Sequence, residues 1–317
     1  MFSNLFVVLN QVIILYILMA VGFGVYKSKM LNETGIKQIT DLLLLVVTPC
    51  LIVYSFLNEK FTASHVSGLI ISAALAVGVH IFSIVLSQII YRKNIPENYR
   101  KVLKFASVYS NAGFMGIPLV SAVITGTEGV FYASVFIAVF NLFLWTHGVI
   151  IYKKADGNNS NKFSGKFILK AIINPNVIAI LIGVILFCLA IKLPPQIDKS
   201  LNYIQLINTP LSMIIIGSLM AKANLKTLFN DAYILPGILI KNLLVPILLV
   251  FFLHIFKLTG VVYIACLLQT TCPVAGATAL FAEKFGADTK FAAKLMTIST
   301  LFSIITIPLV IFINSII

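Results

Sequence analysis

Apolar residues run along this chain in long blocks, and short clusters of charge separate the blocks. The blocks do not alternate every second residue, as the strands of an outer-membrane barrel do. Ten helical spans are predicted, at 5–26, 38–57, 67–91, 102–124, 129–152, 168–191, 201–221, 232–256, 260–282 and 291–315. Each reaches roughly the 20 residues that a helix needs to cross a bilayer core. One connector is clearly hydrophilic, the stretch Lys153 to Lys166. It divides the chain into a first five-helix repeat over 1–152, a cytoplasmic linker over 153–166 and a second five-helix repeat over 167–317. With an odd number of spans per half, the second half enters from the opposite side, so the expected repeat is inverted.

Composition agrees with this pattern. The chain is 60% hydrophobic and 10% charged, whereas a soluble domain is about half apolar and a quarter charged. In a soluble protein the net charge of +13 would suggest nucleic acid. Here topology explains it better, and no nucleic-acid partner is expected. Eighteen of the 23 Lys and Arg fall in or beside the loops after spans 1, 3, 5, 7 and 9, among them Arg92, Arg100, Lys154 and Lys226. The opposite side holds only Lys60, Lys192, Lys199 and Lys257. The bias puts those loops in the cytoplasm and both termini outside, in a multi-pass protein of the cell membrane. The first apolar run is too long for a signal h-region and should stay as a helix. Cys50, Cys188, Cys266 and Cys272 lie inside apolar runs with no metal spacing or disulfide framework, so they read as small apolar residues. No cofactor is expected.

Two spans are interrupted. Span 4 contains Asn111, Gly113, Gly116 and Pro118, and span 9 contains Thr271-Cys272-Pro273. Spans 2 and 7 share a Thr-Pro pair, Thr48-Pro49 and Thr209-Pro210. Interruptions at corresponding positions of two halves are the best sequence pointer to a transporter site. Carbonyls and amides freed by Pro and Gly must face protein or a watered cavity, because lipid offers them no partner. The second half-helices, expected to begin near Pro118 and Pro273, would point positive N-termini at mid-membrane and could hold a carboxylate. Asn111, Gln269, Thr270 and Thr271 add polar side chains suited to an organic acid. Lys241, beside Asn242 in span 8, is a candidate counter-charge or coupling group, or its stem snorkels to the cytoplasmic side. Asp41 begins span 2, where it either suits the helix N-terminus or takes part in coupling. Asn141 in span 5 either joins the site or pairs between helices. His80 and His147 are mid-span, as satisfied core residues or as proton sites. Ser299, Thr300 and Ser303 in span 10 read as small packing residues.

The stretch Asn111 with Met115-Gly116-Ile117-Pro118-Leu119, and Pro273 followed by Phe281-Ala282-Glu283-Lys284-Phe285, resemble the auxin efflux carrier family. That family includes plant PIN-type carriers and bacterial permeases often labelled malate permeases. The resemblance extends over the whole chain. It implies an all-α fold shared with bile-acid symporters and sodium/proton antiporters, in which broken helices 4 and 9 cross at their prolines and substrate binds beside the crossing. Helices 1, 2, 6 and 7 would form a scaffold that also makes a homodimer. Helices 3–5 and 8–10 would form a moving, elevator-like transport domain. Asn111 and the two prolines carry over by motif. Plant carriers have a Gln soon after the second proline, where this chain has Val274 and Ala275, and they have a long central loop that it lacks.

The functional expectation is a secondary transporter of small organic anions, malate-like or auxin-like, working by alternating access. A sodium- or proton-coupled symporter of other carboxylates or bile-acid-like anions is the alternative. None of the ten acidic residues sits clearly at mid-span, which argues against sodium/proton exchange. A channel is a further alternative, distinguished by its turnover. An intramembrane enzyme is not expected, since neither H-E-x-x-H nor an Asp-rich pair appears, and no P-loop points to direct use of ATP.

Overall fold

The structure, a computed structural model, describes residues 2–92, 94–153, 173–222 and 231–317. The hydrophilic linker beyond Lys153, the first residues predicted for span 6, and Lys93, Lys154 and Lys226 lie outside them. The described residues form twelve helices and no strand. They are α1 (Phe2–Lys27), α2 (Glu33–Leu57), α3 (Ala63–Ile90), α4 (Glu97–Val108), α5 (Ala112–Val123) and α6 (Glu128–Tyr152). There follow α7 (Pro175–Cys188), α8 (Pro195–Ala221), α9 (Ile234–Ile255), α10 (Val261–Thr271), α11 (Ala277–Lys284) and α12 (Thr289–Ile316). Seven of these, α1, α2, α3, α6, α8, α9 and α12, are each long and apolar enough to cross a bilayer. The chain is thus a multi-pass membrane protein. The helices α5, α7 and α10 are apolar but shorter.

Several helices start earlier than hydropathy predicts. Asn32 caps α2 by accepting from the Gly35 N–H at 2.8 Å, and Thr62 caps α3 by accepting from the His65 N–H at 3.1 Å. Side chains of this type satisfy amides that the helix cannot, so a polar first turn is added before the apolar run. Asp41 therefore does not begin its helix. It stands two turns into α2, and it is exposed.

Three prolines share one local device. Pro49, Pro118 and Pro246 each follow a single widened turn, at Leu43–Val47, Ala112–Gly116 and Ile240–Leu244. In each case the residue before the proline donates five residues back: Thr48 to the Leu43 carbonyl, Ile117 to Ala112 and Val245 to Ile240. Proline lacks a donor and its ring crowds the carbonyl one turn earlier. An extra residue in that turn makes room, so the helix continues through the proline.

Packing pairs the helices closely. The longest contact is α1 along α8, and α7 lies along α2. Also packed are α3 with α6, α9 with α12, α10 with α3 and α6, and α4 with α9 and α12. Between α1 and α8 the approach depends on two glycines. A methyl at Gly22 would collide with the Ile214 backbone, and one at Gly217 with the Met19 carbonyl. Ser218 donates to the Gly22 carbonyl at 3.0 Å. Lipid is as apolar as a side chain, so such association depends on close van der Waals contact and interhelical hydrogen bonds. The two Thr-Pro segments also meet, where Asn208 Nδ2 donates to Thr48 Oγ1 at 2.9 Å.

Overpacking a tight contact costs about 1–3 kcal/mol. Gly217→Val is therefore expected to lower the thermal unfolding midpoint in detergent, and Gly22→Val likewise. Gly24→Ala, where a methyl meets nothing within 4 Å, should leave the midpoint unchanged or slightly raised. Equal midpoints for all three would contradict this account of the α1–α8 contact.

Candidate functional site

The site is built where two helical paths stop inside the protein. After α10, Cys272 turns extended with φ −59° and ψ 147°. Proline disfavours the helical region for the residue before it, and at Cys272, unlike Thr48, Ile117 and Val245, the chain leaves the helix. After α4, Tyr109 is extended with φ −100° and ψ 104°, and Asn111 has φ −74° and ψ 51°. The two short segments lie antiparallel, with Ser110 opposite Val274. The Asn111 N–H donates to the Pro273 carbonyl at 2.7 Å, and the Ala275 N–H donates to the Tyr109 carbonyl at 3.0 Å.

Pro118 behaves differently from expectation. It does not open the second half-helix. That half, α5, begins at Ala112, and Pro118 lies within it behind the widened turn. The partner of Pro273 is Asn111. Gly116 permits the approach of the two paths, since a methyl there would stand 3.2 Å from Gln269 Cγ and 3.6 Å from Cys272 Sγ. Gly113 faces open space, with nothing within 4 Å of an added methyl.

The amides at the starts of α5 and α11 matter most. Among the described residues, the N–H groups of Gly113, Phe114, Gly276 and Ala277 have no protein acceptor. These four residues are partly accessible, although Asn111, Ala112, Val274 and Ala275 beside them are buried. The Asn111 side-chain amide makes no hydrogen bond to another described residue. Gln269 is fully buried; its Nε2 donates to the Ala133 carbonyl at 3.1 Å, while its Oε1 has no partner among the described residues.

Lys241 does not snorkel. It is 1% exposed, and its Nζ donates to the Thr270 carbonyl at 3.2 Å, one residue before the end of α10. No carboxylate of the described residues lies within salt-bridge distance of it. Consecutive helical residues point about 100° apart, so Asn242 reaches α12 instead. Its Nδ2 donates to the Ser299 carbonyl at 2.8 Å, and Ser299 Oγ donates to Asn242 Oδ1 at 2.7 Å. The same Ser299 Oγ accepts from the Val274 N–H at 2.9 Å. Ser299, read from sequence as packing, thus holds the break after α10. Its only sequence signal is the run of small hydroxyl residues Ser299, Thr300 and Ser303 at helical spacing. Ser303 approaches the other break, where its Oγ lies 4.0 Å from Met115 Sδ.

Other predicted residues are occupied elsewhere. Thr270 and Thr271 donate to the Cys266 and Leu268 carbonyls of their own helix at 2.9 and 2.7 Å. Asn141 pairs between helices: its Nδ2 donates to the Ile137 carbonyl at 2.9 Å, and its Oδ1 accepts from Asn174 at 3.3 Å. His80 is buried, stacked on Phe143 and hydrogen-bonded to the Ala76 carbonyl at 2.7 Å. His147 meets the Tyr109 hydroxyl at 3.1 Å. No hydrogen bond among the described residues joins Asp41 to the breaks.

A buried donor left without its acceptor costs about 1–3 kcal/mol. Ser299→Ala strands the Val274 N–H, so it is expected to destabilise by that amount in a denaturation series. Asn242→Ala should do the same, and the double variant should cost clearly less than the sum. Additive effects would mean that the two side chains do not act as one clamp.

Comparison with known proteins places these features in context. Residues 7–311 match the model of a family described as membrane transport protein. No curated protein matches the chain.

Proposed function

The chain belongs to this membrane transport family, of the auxin-efflux-carrier type, and on that footing we propose that it is a secondary transporter of small organic anions. The observation that carries the reading is the joining of two broken helices with four unpaired amides beside the junction. Amides at a helix N-terminus, with its partial positive charge, bind carboxylates without a formal charge from the protein. Lys241 adds one cation beside the same junction. A cation with one carbonyl partner is costly to bury, and an arriving carboxylate lessens that cost. Gln269 Oε1 offers an acceptor to a hydroxyl, which suits a hydroxy acid such as malate, and Asn111 offers a side-chain amide.

We take α4 with α5 and α10 with α11 as single interrupted spans, which gives ten spans in two inverted halves. The packing supports this reading. Exchanging the halves turns the α1–α8 contact into α7–α2, and α3–α6 into α9–α12. It also turns α10 on α3 and α6 into α4 on α9 and α12. The first two pairs then form the scaffold, carrying the dimer contact, and the rest form the transport domain that moves the site by alternating access. Both termini lie outside the cell membrane. One elementary charge crossing 100 mV is worth about 2.3 kcal/mol. Export of an anion from a negative interior can therefore run as uniport, whereas import needs coupling.

The test is uptake of labelled malate, pyruvate and indole-acetate by proteoliposomes. Losing a hydrogen bond to a charged group costs about 1.5–3 kcal/mol, roughly a 10- to 100-fold weaker apparent affinity. Lys241→Met and Asn111→Ala are expected to show such losses. Gly113→Leu should fill the open space and abolish flux without lowering thermal stability. Unaltered saturable flux of every acid in all three variants would refute the site.

A further inference from the structure

Basic residues gather where α3 ends and α4 begins. Gln88, Tyr91, Arg92, Arg100 and Lys104 line a cleft of about 550 Å³ there. Arg100 and Lys104 lie one turn apart on α4 and are half-buried. Like charges at that spacing repel. Among the described residues no carboxylate comes within 4.0 Å of Arg92, Arg100 or Lys104; the nearby Glu97 is at 4.0 Å from Lys101 instead. Lys104 donates to Gln88 Oε1, and Arg92 Nε donates to the Ile89 carbonyl at 3.2 Å. Three cations thus line one hollow, and among the described residues two of them, Arg92 and Lys104, are answered by neutral oxygens.

The cleft also has a fixed depth relative to lipid. Ile81, Val85 and Ile89 are exposed on α3 at 49%, 52% and 56%, at four-residue intervals along one helix face. In a membrane protein such a stripe faces acyl chains. It runs directly to Gln88 and Arg92, so the cleft opens where the hydrocarbon ends and headgroups begin. Lys and Arg excess marks this end as cytoplasmic, the side on which basic pockets between helices bind phosphorylated headgroups.

We propose that this cleft binds a phosphate-bearing anion at the membrane surface, either the headgroup of an acidic phospholipid or free inorganic phosphate. Arginine forks match phosphate oxygens in pairs, and Lys104 supplies a third donor. The bound group relieves the repulsion between Arg100 and Lys104 and ties the end of α3 to the start of α4. This inference needs that the chain is embedded in a membrane with this end cytoplasmic, and it does not depend on what the chain transports.

The experiment uses the purified full chain in phosphatidylcholine nanodiscs at low ionic strength. Unfolding midpoints are measured with and without phosphatidylglycerol, and with inorganic phosphate, and affinity is obtained by titrating short-chain phosphatidylglycerol. Wild-type protein is expected to gain stability from at least one of the two anions. Gain from phosphatidylglycerol alone identifies the headgroup as ligand, and an equal gain from phosphate identifies the free ion. The double variant Arg100→Gln with Lys104→Gln should bind roughly tenfold more weakly, with a midpoint in phosphatidylcholine that is not lowered, since the repulsion between the two cations is gone. Arg92→Gln, at an exposed position, gives a second weakened variant should the double one fold poorly. Lys199→Gln, on the opposite side, should respond as wild type does. No stabilisation by either anion, or undiminished binding in the Arg92 and Arg100/Lys104 variants, would overturn the proposal.

Discussion

Two stretches of backbone that leave their helices deep inside the protein satisfy each other. Lipid offers no hydrogen bonds, so an interrupted helix in a membrane protein needs an internal partner. Here the partner of each interruption is the other one: Asn111 N–H with the Pro273 carbonyl, and Ala275 N–H with the Tyr109 carbonyl. This pairing covers only the middle of each segment. Among the described residues the amides that follow, at Gly113, Phe114, Gly276 and Ala277, have no acceptor, which is the feature a ligand would use. The same constraint that forces the two breaks together therefore leaves donors beside them.

Holding that junction requires the surrounding helices. Ser299 and Asn242 form a short relay that fixes the Val274 amide, and Gln269 reaches across to α6. Glycine at 116 lets the two paths touch. The widened turns before Pro49, Pro118 and Pro246 show how the chain keeps prolines inside helices without breaking them. In α9 that turn also carries Lys241 and Asn242, which point to different neighbours from adjacent positions. A proline that only bends a helix and a proline that ends one look alike in sequence. Their difference lies in the preceding residue: Cys272 is extended, whereas Ile117 stays helical.

The charge pattern has two scales. At the junction the field comes from helix ends and from one lysine. At the membrane surface it comes from many lysines and arginines, and the cleft of Arg92, Arg100 and Lys104 concentrates three of them. An anion approaching from that side meets positive potential at the surface and again inside.

The sequence by itself determined that this is a helical membrane protein, and it located the two interruptions. Both facts follow from local chemistry: long apolar blocks suit a bilayer, and Pro, Gly and Asn spoil a helix wherever they stand. It also singled out Lys241 and Asn111. Only the tertiary structure decided that the backbone of Asn111 pairs with that of Pro273. It alone decided that Lys241 turns inward to Thr270, and that Thr270, Thr271 and Asn141 spend their polar groups on helix carbonyls or on a neighbouring helix. Ser299 was invisible as a clamp because its partners, Asn242 and Val274, are 57 and 25 residues away. A hydroxyl on an apolar helix has the same local signature whether it packs or holds a distant amide. That choice is made by which backbone group the folded chain brings within reach.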